Sequence, residues 1–254
     1  MNTSDKPKFR GVYILPNMMT LASMFSAFLG ILWAIDGEFE KCALAILVSC
    51  LFDGLDGKLA RLTNSTSDFG VQLDSLADLV AFGVTPGIMV YLWQTHIFGR
   101  LGILTSFMLM ACGALRLARF NISTGSTSKK FFIGLPIPAA ACTLASLVLF
   151  SPYLPESMSE LNVARFSLAL IMILSVLMVS NIRYASFKDS NLVRSHRFSA
   201  TVTALMVFIL VASVPKLLAF VFFIGYIVSG PIYSYVYLPL HRSSRLRERS
   251  HKLS

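Results

Sequence analysis

The sequence is poor in charge and poorest in acidic residues. Only 14% of its 254 residues are charged and 13 are Asp or Glu, whereas 55% are hydrophobic. In soluble globular proteins about a quarter of the residues are charged, so this composition excludes that class. The four cysteines lie in or beside apolar segments without a C-x-x-C spacing, and they therefore indicate neither a disulfide framework nor a zinc site.

Apolar runs long enough to cross a membrane recur along the whole chain. A helix needs about 17–25 apolar residues to span a hydrocarbon core of roughly 30 Å. The sequence therefore predicts an all-α fold, a polytopic transmembrane helical bundle forming one domain over residues 1–254. We expect eight spans, at about residues 15–35, 41–60, 71–95, 101–118, 135–153, 163–181, 198–214 and 216–238.

Two of these spans have features of their own. The first follows a basic tail, as a signal peptide would, but it is longer than the apolar region of a signal peptide and lacks a clear A-x-A site. We therefore expect a retained helix. In the third span, Gly83 and Pro86-Gly87 predict a kink.

The basic residues fall on one side of the predicted membrane. With eight spans, all of the 22 lysines and arginines except Lys41, Arg100, Arg165 and Lys216 share a side with the two termini. The positive-inside rule then places both termini in the cytoplasm. Membrane orientation explains the net charge of +9 better than nucleic-acid binding, which we do not expect. The basic tail, residues 241–254, is a topology anchor or a contact for anionic headgroups.

One stretch, from Asp53 to Asp78, holds five of the 13 acidic residues. On a helix, Asp53 and Asp56 are three residues apart and share a face, and Asp74 and Asp78, four apart, share another. A charged Asp at the centre of a membrane helix costs about 2.5–3.5 kcal/mol. Two helices joined by the short polar loop between these pairs can bring the four carboxylates together, provided that cations or protons compensate their charge.

The chemistry of this cluster follows from its ligand atoms. A set of carboxylates without His or Cys favours Mg²⁺ or Mn²⁺ over zinc. A pair of such ions is suited to displacement at phosphorus. Small residues nearby (Gly54, Gly57, Ala60 and Gly70) leave room for a ligand, and Arg61 can pair with a phosphate. The alternative is four aspartates that cap helices at the membrane surface and face water.

The order of these residues resembles the signature of the CDP-alcohol phosphotransferase family. The pattern D-x-x-D-G-x-x-A-R, then eight residues, G-x-x-x-D-x-x-x-D, is met over residues 53–78 without a departure. The resemblance implies a six-span catalytic core, here about residues 12–181, an extra C-terminal helical hairpin at about 198–238, and a homodimer. It also implies a cytoplasmic site with two divalent ions that moves a phosphoalkyl group from a CDP-linked donor to an alcohol and releases CMP.

The resemblance also assigns roles to residues. Metal binding is implied for Asp53, Asp56, Asp74 and Asp78, and Asp78 is in addition the implied base that takes the acceptor's proton. Contacts with the CDP moiety are implied for Gly57, Ala60, Arg61 and Gly70. We add Asn17 and Thr20, three residues apart in P-N-x-x-T, as contacts near the nucleotide.

Two further stretches point to the acceptor. Residues 113–121, G-A-L-R-L-A-R-F-N, and 132–140, F-I-G-L-P-I-P-A-A, resemble a bacterial inner-membrane subgroup that joins CDP-diacylglycerol to L-serine. Arg116 and Arg119 then bind the acceptor's carboxylate or a lipid phosphate, with Asn121 beside them; positive-inside topology is the alternative reason for these arginines.

Three other functions remain open. Within the family, an acceptor that carries a phosphate would also suit Arg116 and Arg119 together with Lys129 and Lys130. Outside it, a cation-coupled transporter would use aspartates within the membrane as a relay, and a non-catalytic membrane scaffold would need no site. The single local cluster of carboxylates disfavours both of these.

Overall fold

The computed structural model describes residues 14–63, 67–123, 131–154, 159–185, 215–232 and 234. Eight α-helices lie within these residues: α1 Ile14–Ile35, α2 Phe39–Leu62, α3 Asp68–Leu79, α4 Thr85–Trp93, α5 Arg100–Ser123, α6 Ile137–Phe150, α7 Glu160–Val179 and α8 Pro215–Ile232. A π-helical segment, Val80–Val84, joins α3 to α4, and short 3₁₀ turns lie at Thr95–Phe98 and Ser151–Tyr153. Two three-residue strands complete the elements, β1 Phe131–Ile133 and β2 Arg183–Ala185.

The predicted all-α membrane bundle is confirmed. Four helical segments are long and apolar enough to cross a membrane: Ile14–Ile35, Asp68–Trp93, Arg100–Ile122 and Glu160–Val179. The apolar helices α6 and α8 are shorter, and α2 carries the charges of the acidic motif. Helices therefore occupy seven of the eight expected spans. The remaining span, 198–214, and the basic tail lie outside the described residues.

Small residues bring α1 and α2 into close contact. Ser23 Oγ donates a hydrogen bond to the Ser49 carbonyl at 3.1 Å, and Ser49 Oγ donates to the Ser23 carbonyl at 2.9 Å. Two turns later on α1, a Cβ built at Gly30 would lie 3.2 Å from the side chains of Ala45 and Thr85. Close backbone approach of this kind, with hydrogen bonds between helices, is how membrane helices associate without a hydrophobic driving force.

The expected kink in the third span is a π-helical segment. Pro86 has no N–H to offer to the carbonyl four residues before it, and the Thr85 N–H instead reaches the Val80 carbonyl, five residues back. Thr85 Oγ1 donates to the same carbonyl at 2.9 Å and lies 3.3 Å from the Ala27 carbonyl of α1. The change of helical register is thus tied to the neighbouring helix.

Helix α6 lies at the centre of the core, with all but a few of its side chains buried. It packs against α2, α7 and α8. Just before it, β1 pairs with β2 in an antiparallel ribbon, with Phe132 opposite Tyr184. The sequence did not predict this ribbon. The basic residues Lys129 and Lys130 precede it and lie outside the described residues.

Candidate active site

The acidic motif spans two helices that a short polar loop connects. Asp53 and Asp56 lie in the second half of α2, and Asp74 and Asp78 lie in α3. Helix α3 begins where Ser67, in an extended conformation, accepts a hydrogen bond on its Oγ from the Gly70 N–H at 3.0 Å. This cap satisfies one of the free N–H groups at the helix start and fixes where the second aspartate pair begins.

All four aspartates converge. Carboxylate oxygens of Asp53, Asp56 and Asp74 lie within 4.8 Å of one another, and the carboxyl group of Asp78 is hydrogen-bonded to that of Asp53. Asp56 is buried, with 5% of its surface exposed, and the others are half-buried. The convergence expected from the sequence is therefore present.

The charge of this cluster calls for a cation. Two carboxylates 4.8 Å apart repel by about 3.5 kcal/mol at an effective dielectric constant near 20. Among the described residues the three-carboxylate group contains oxygen ligands only, which is the donor set that Mg²⁺ and Mn²⁺ prefer. The residues present therefore fit a hard divalent ion.

The first turns of α1 form a wall beside the carboxylates. Thr20 is buried, and its Oγ1 donates to Asp56 Oδ2 at 2.8 Å and lies 3.2 Å from the Pro16 carbonyl. Asn17 lies next to α3, since a Cβ built at Gly70 would fall 3.5 Å from its Oδ1. Thr20 thus lies at the carboxylate cluster and Asn17 at the start of α3 beside Gly70; contact of either with the nucleotide remains a prediction.

The predicted CDP contacts on α2 follow the aspartates along the helix. Gly57 and Ala60 come four residues after Asp53 and Asp56 respectively, so each shares a face with an aspartate, and both are half-buried. Arg61 belongs to the same helix, and its side chain lies outside the described part of the structure. These roles remain predictions.

Arg116 of α5 is a buried arginine whose charge acts on the site. It is 8% exposed, and it interacts electrostatically with Asp78 of α3. Within the described residues its Nε is buried without a hydrogen-bond partner. Buried polar groups nearly always have partners, so this guanidinium has an unused donor, and its charge is felt by the carboxylate of the expected base.

Arg119, one turn further on, is held by the protein itself. Its Nη1 lies 3.1 Å from the Val179 carbonyl and 3.4 Å from Asn181 Oδ1, and its Nη2 lies 3.1 Å from the Ile133 carbonyl and 3.2 Å from the Ser180 carbonyl. These bonds cap the C-terminus of α7 and join it to β1. The geometry favours a scaffold role for Arg119, and contact with the acceptor stays a prediction.

The last predicted acceptor residue, Asn121, connects two helices. Its Nδ2 donates to Ser75 Oγ at 3.0 Å, and Ser75 precedes Asp78 by three residues on α3. Sequence reasoning missed Ser75, although its place between two motif aspartates was a signal. It also missed Tyr226 of α8, whose phenol interacts electrostatically with Arg116; the signal available was a polar aromatic residue in an apolar segment.

Taken together, a helical membrane bundle with four converging carboxylates at one end of two linked helices defines a membrane-embedded enzyme of phosphoryl-transfer type. The family model described as CDP-alcohol phosphatidyltransferase matches residues 13–178, which is more than half of the chain. The protein belongs to this family, and the assignment made from the motif is confirmed.

Relatives that carry a name share most of this region. The chain is 44% identical over 177 residues to the CDP-diacylglycerol–serine O-phosphatidyltransferase of Helicobacter pylori strain 26695, covering 70% of this chain and 74% of the relative. It is 39% identical over 183 residues to the archaetidylserine synthase of Methanothermobacter thermautotrophicus, covering 71% and 73%. The serine O-phosphatidyltransferase of Methanocaldococcus jannaschii is 39% identical over 145 residues, covering 57% and 63%.

Proposed function

We propose that this protein transfers the phosphatidyl group of CDP-diacylglycerol to L-serine, with release of CMP. The observation that carries the proposal is the convergence of Asp53, Asp56 and Asp74, with Asp78 hydrogen-bonded to Asp53, in a chain of the CDP-alcohol phosphatidyltransferase family. The acceptor is inferred from relatives at 44% and 39% identity, whose names specify serine as the acceptor or a serine-containing product.

The four aspartates would hold two divalent ions, Mg²⁺ or Mn²⁺. When bound, such ions neutralise the phosphate oxygens of the donor and stabilise charge on the attacking and leaving oxygens. Thr20 supports this arrangement because its hydroxyl fixes one oxygen of Asp56. The remaining carboxylate lone pairs are thereby left for ligands.

The reaction needs one proton acceptor, and we assign that role to Asp78. The serine hydroxyl gives its proton to the Asp78 carboxylate, and its oxygen forms a bond to the phosphorus that carries diacylglycerol. The bond from this phosphorus to the bridging oxygen of the pyrophosphate breaks, and CMP leaves with that oxygen. Arg116, which interacts with Asp78 and has an unused donor, would bind the carboxylate of serine beside it.

The nucleotide would lie along α1 and the start of α3. Two small residues, Gly57 and Gly70, allow a ligand to approach the backbone closely, and Asn17 and Thr20 offer polar groups on the facing wall. With Ala60 and Arg61 of α2, these residues form the proposed contact set for CDP.

The orientation and assembly are proposals as well. The distribution of Lys and Arg supports cytoplasmic termini and a cytoplasmic site, where serine and CMP exchange with water. We propose a bacterial inner membrane as the location and a homodimer as the assembled form, both on the basis of the family resemblance.

Incorporation of radiolabelled serine into chloroform-soluble lipid tests the function. We expect incorporation by the purified protein with CDP-diacylglycerol and a divalent ion, and none when either is left out or when the ions are chelated. Labelled glycerol 3-phosphate, supplied in a parallel reaction, tests the phosphate-bearing acceptor. Incorporation of this label in place of serine would refute the proposed acceptor, and undiminished turnover after thorough chelation would refute the two-metal site.

A further inference from the structure

Helix α8 lies beyond the residues that the family model matches, which end at 178, yet it packs on the core of the described structure. Its contacts are with α6 and with β2. The ring of Phe220 stacks on that of Phe150 with centroids 5.6 Å apart and planes 8° from parallel. The helix is therefore held in a defined position relative to the catalytic core.

Tyr184 of β2 sets the rotation and height of α8. It is fully buried, and its hydroxyl donates to the Ile227 carbonyl of α8 at 3.3 Å. Its ring lies against Gly230, where any Cβ would overlap the ring. A helix held at two points one turn apart cannot rotate without breaking the bond or meeting the ring. The neighbouring Tyr226 is therefore presented in one direction.

Electrostatic interactions link Tyr226 to the active site. The ring of Tyr226 packs on that of Tyr184, with centroids 5.6 Å apart and a tilt of 40°. Its phenol interacts electrostatically with Arg116, which itself interacts with Asp78. Three elements that are distant in sequence, α3, α5 and α8, thus contribute a carboxylate, a guanidinium and a phenol, of which Arg116 interacts with the other two.

Arg116, which interacts with both of the other groups, has donor capacity that the described residues do not use. Arg116 is 8% exposed and its Nε has no hydrogen-bond partner within the described part of the chain, whereas Arg119 is bonded to four acceptors. A carboxylate can accept two parallel bonds from a guanidinium and still has lone pairs for a further donor. The phenol of Tyr226, which interacts electrostatically with this guanidinium, carries a hydroxyl that can donate such a bond.

We propose that Tyr226 is a specificity-determining residue for the acceptor, whose hydroxyl donates a hydrogen bond to the carboxylate of L-serine alongside Arg116. This inference rests on the function proposed above. It makes α8, outside the matched catalytic region, the wall that recognises an amino-acid acceptor. A site built to bind a polar group rejects an acceptor that lacks it, because its buried donors are then left unpaired.

The test is the kinetics of Tyr226→Phe in the full-length protein, with serine varied at saturating CDP-diacylglycerol and then the reverse. Loss of one hydrogen bond to a charged group predicts a rise in the KM for serine of about tenfold or more. The KM for CDP-diacylglycerol should stay within about twofold and kcat within a few-fold. Tyr153→Phe is the matched control, since Tyr153 is exposed and lies just after the C-terminal end of α6, whereas β1 lies before its N-terminal end. The kinetic constants of this variant should equal those of the wild type.

A second measurement distinguishes recognition of the serine carboxylate by Tyr226 from an effect of Tyr226 on the packing of α8. If Tyr226 and Arg116 bind the same carboxylate, the rises in the KM for serine of Tyr226→Phe and Arg116→Lys will not multiply in the double variant. Multiplying effects, an unchanged KM for serine in Tyr226→Phe, or a lower kcat with both KM values unchanged would each overturn the inference. Absence of serine incorporation by the wild-type protein would instead overturn the proposed function, and the inference with it.

Discussion

Arg116 and Arg119 are equivalent in the sequence, and replacing each by methionine should show that they act differently. Methionine keeps a long apolar stem and removes the guanidinium. For Arg116→Met we expect a large rise in the KM for serine, because the unused donor of a guanidinium that interacts with Asp78 is lost. For Arg119→Met we expect loss of thermal stability with little change in the KM for serine of the folded enzyme.

The expected loss for Arg119→Met follows from its hydrogen bonds. The guanidinium makes four, three of them to backbone carbonyls at 3.1–3.2 Å, and the fourth to Asn181 at 3.4 Å. Hydrogen bonds contribute about 0.5–1.5 kcal/mol each, and partial exposure reduces the value for a charged donor. We therefore expect a loss of about 2–3 kcal/mol, which lowers the unfolding temperature by several degrees.

Thermal unfolding in detergent and steady-state kinetics with serine as the varied substrate measure the two effects on the same preparations. Arg100→Met is the matched control, because Arg100 is an exposed arginine at the other end of the same helix, and it should change neither quantity. A wild-type unfolding temperature in Arg119→Met, together with a KM for serine raised as much as in Arg116→Met, would show that Arg119 binds the acceptor and that the reasoning from its hydrogen bonds is wrong.

Two other substitutions test the carboxylate cluster. Asp78→Asn should abolish turnover while CDP-diacylglycerol still binds, and measurable turnover in this variant would remove Asp78 as the base. Thr20→Val removes the donor to Asp56 at 2.8 Å with little change of shape; it should lower activity about tenfold and raise the Mg²⁺ concentration needed for half-maximal activity. Thr105→Val is its control, since within the described residues the Thr105 hydroxyl bonds to backbone carbonyls of its own helix, and an equal loss there would point to a general packing effect.

Local features of the fold could be predicted from the sequence. The apolar runs predicted the helices because a membrane span needs a minimum length of apolar residues. Pro86 predicted the interruption of the third span because the hydrogen bond that proline cannot donate lies within a few residues of it. The faces shared by Asp53 with Asp56, and by Asp74 with Asp78, depend only on helical periodicity.

Features that depend on residues distant in sequence could not be predicted in this way. Arg116 and Arg119 are three residues apart and share a helix face, so periodicity does not separate them. They differ because Arg119 meets the end of α7, about 60 residues later, and Arg116 does not. The place of Tyr226 depends in the same way on Tyr184, whose hydroxyl bonds to α8 across 43 residues.

The distances of the four aspartates from the loop between α2 and α3 explain the spacing of the acidic motif. Asp56 lies six residues before the end of α2 and Asp74 six residues after the start of α3, so at 1.5 Å per residue each is about 9 Å along its helix from the connecting loop. Asp53 and Asp78 lie nine and ten residues from the same loop, or about 14–15 Å. Since the two pairs meet, both helices run from the loop in the same direction with the carboxylates between them.

The proposed topology puts the connecting loop at the membrane surface, where the headgroup region is about 5–8 Å thick, so carboxylates about 9–15 Å along their helices from the loop would lie near the boundary between headgroups and hydrocarbon. The phosphorus of the proposed lipid-linked donor would have to reach this level. The eight residues between Arg61 and Gly70 thus set the distances of Asp56 and Asp74 from the connection, which are equal, so that the two aspartate pairs can meet.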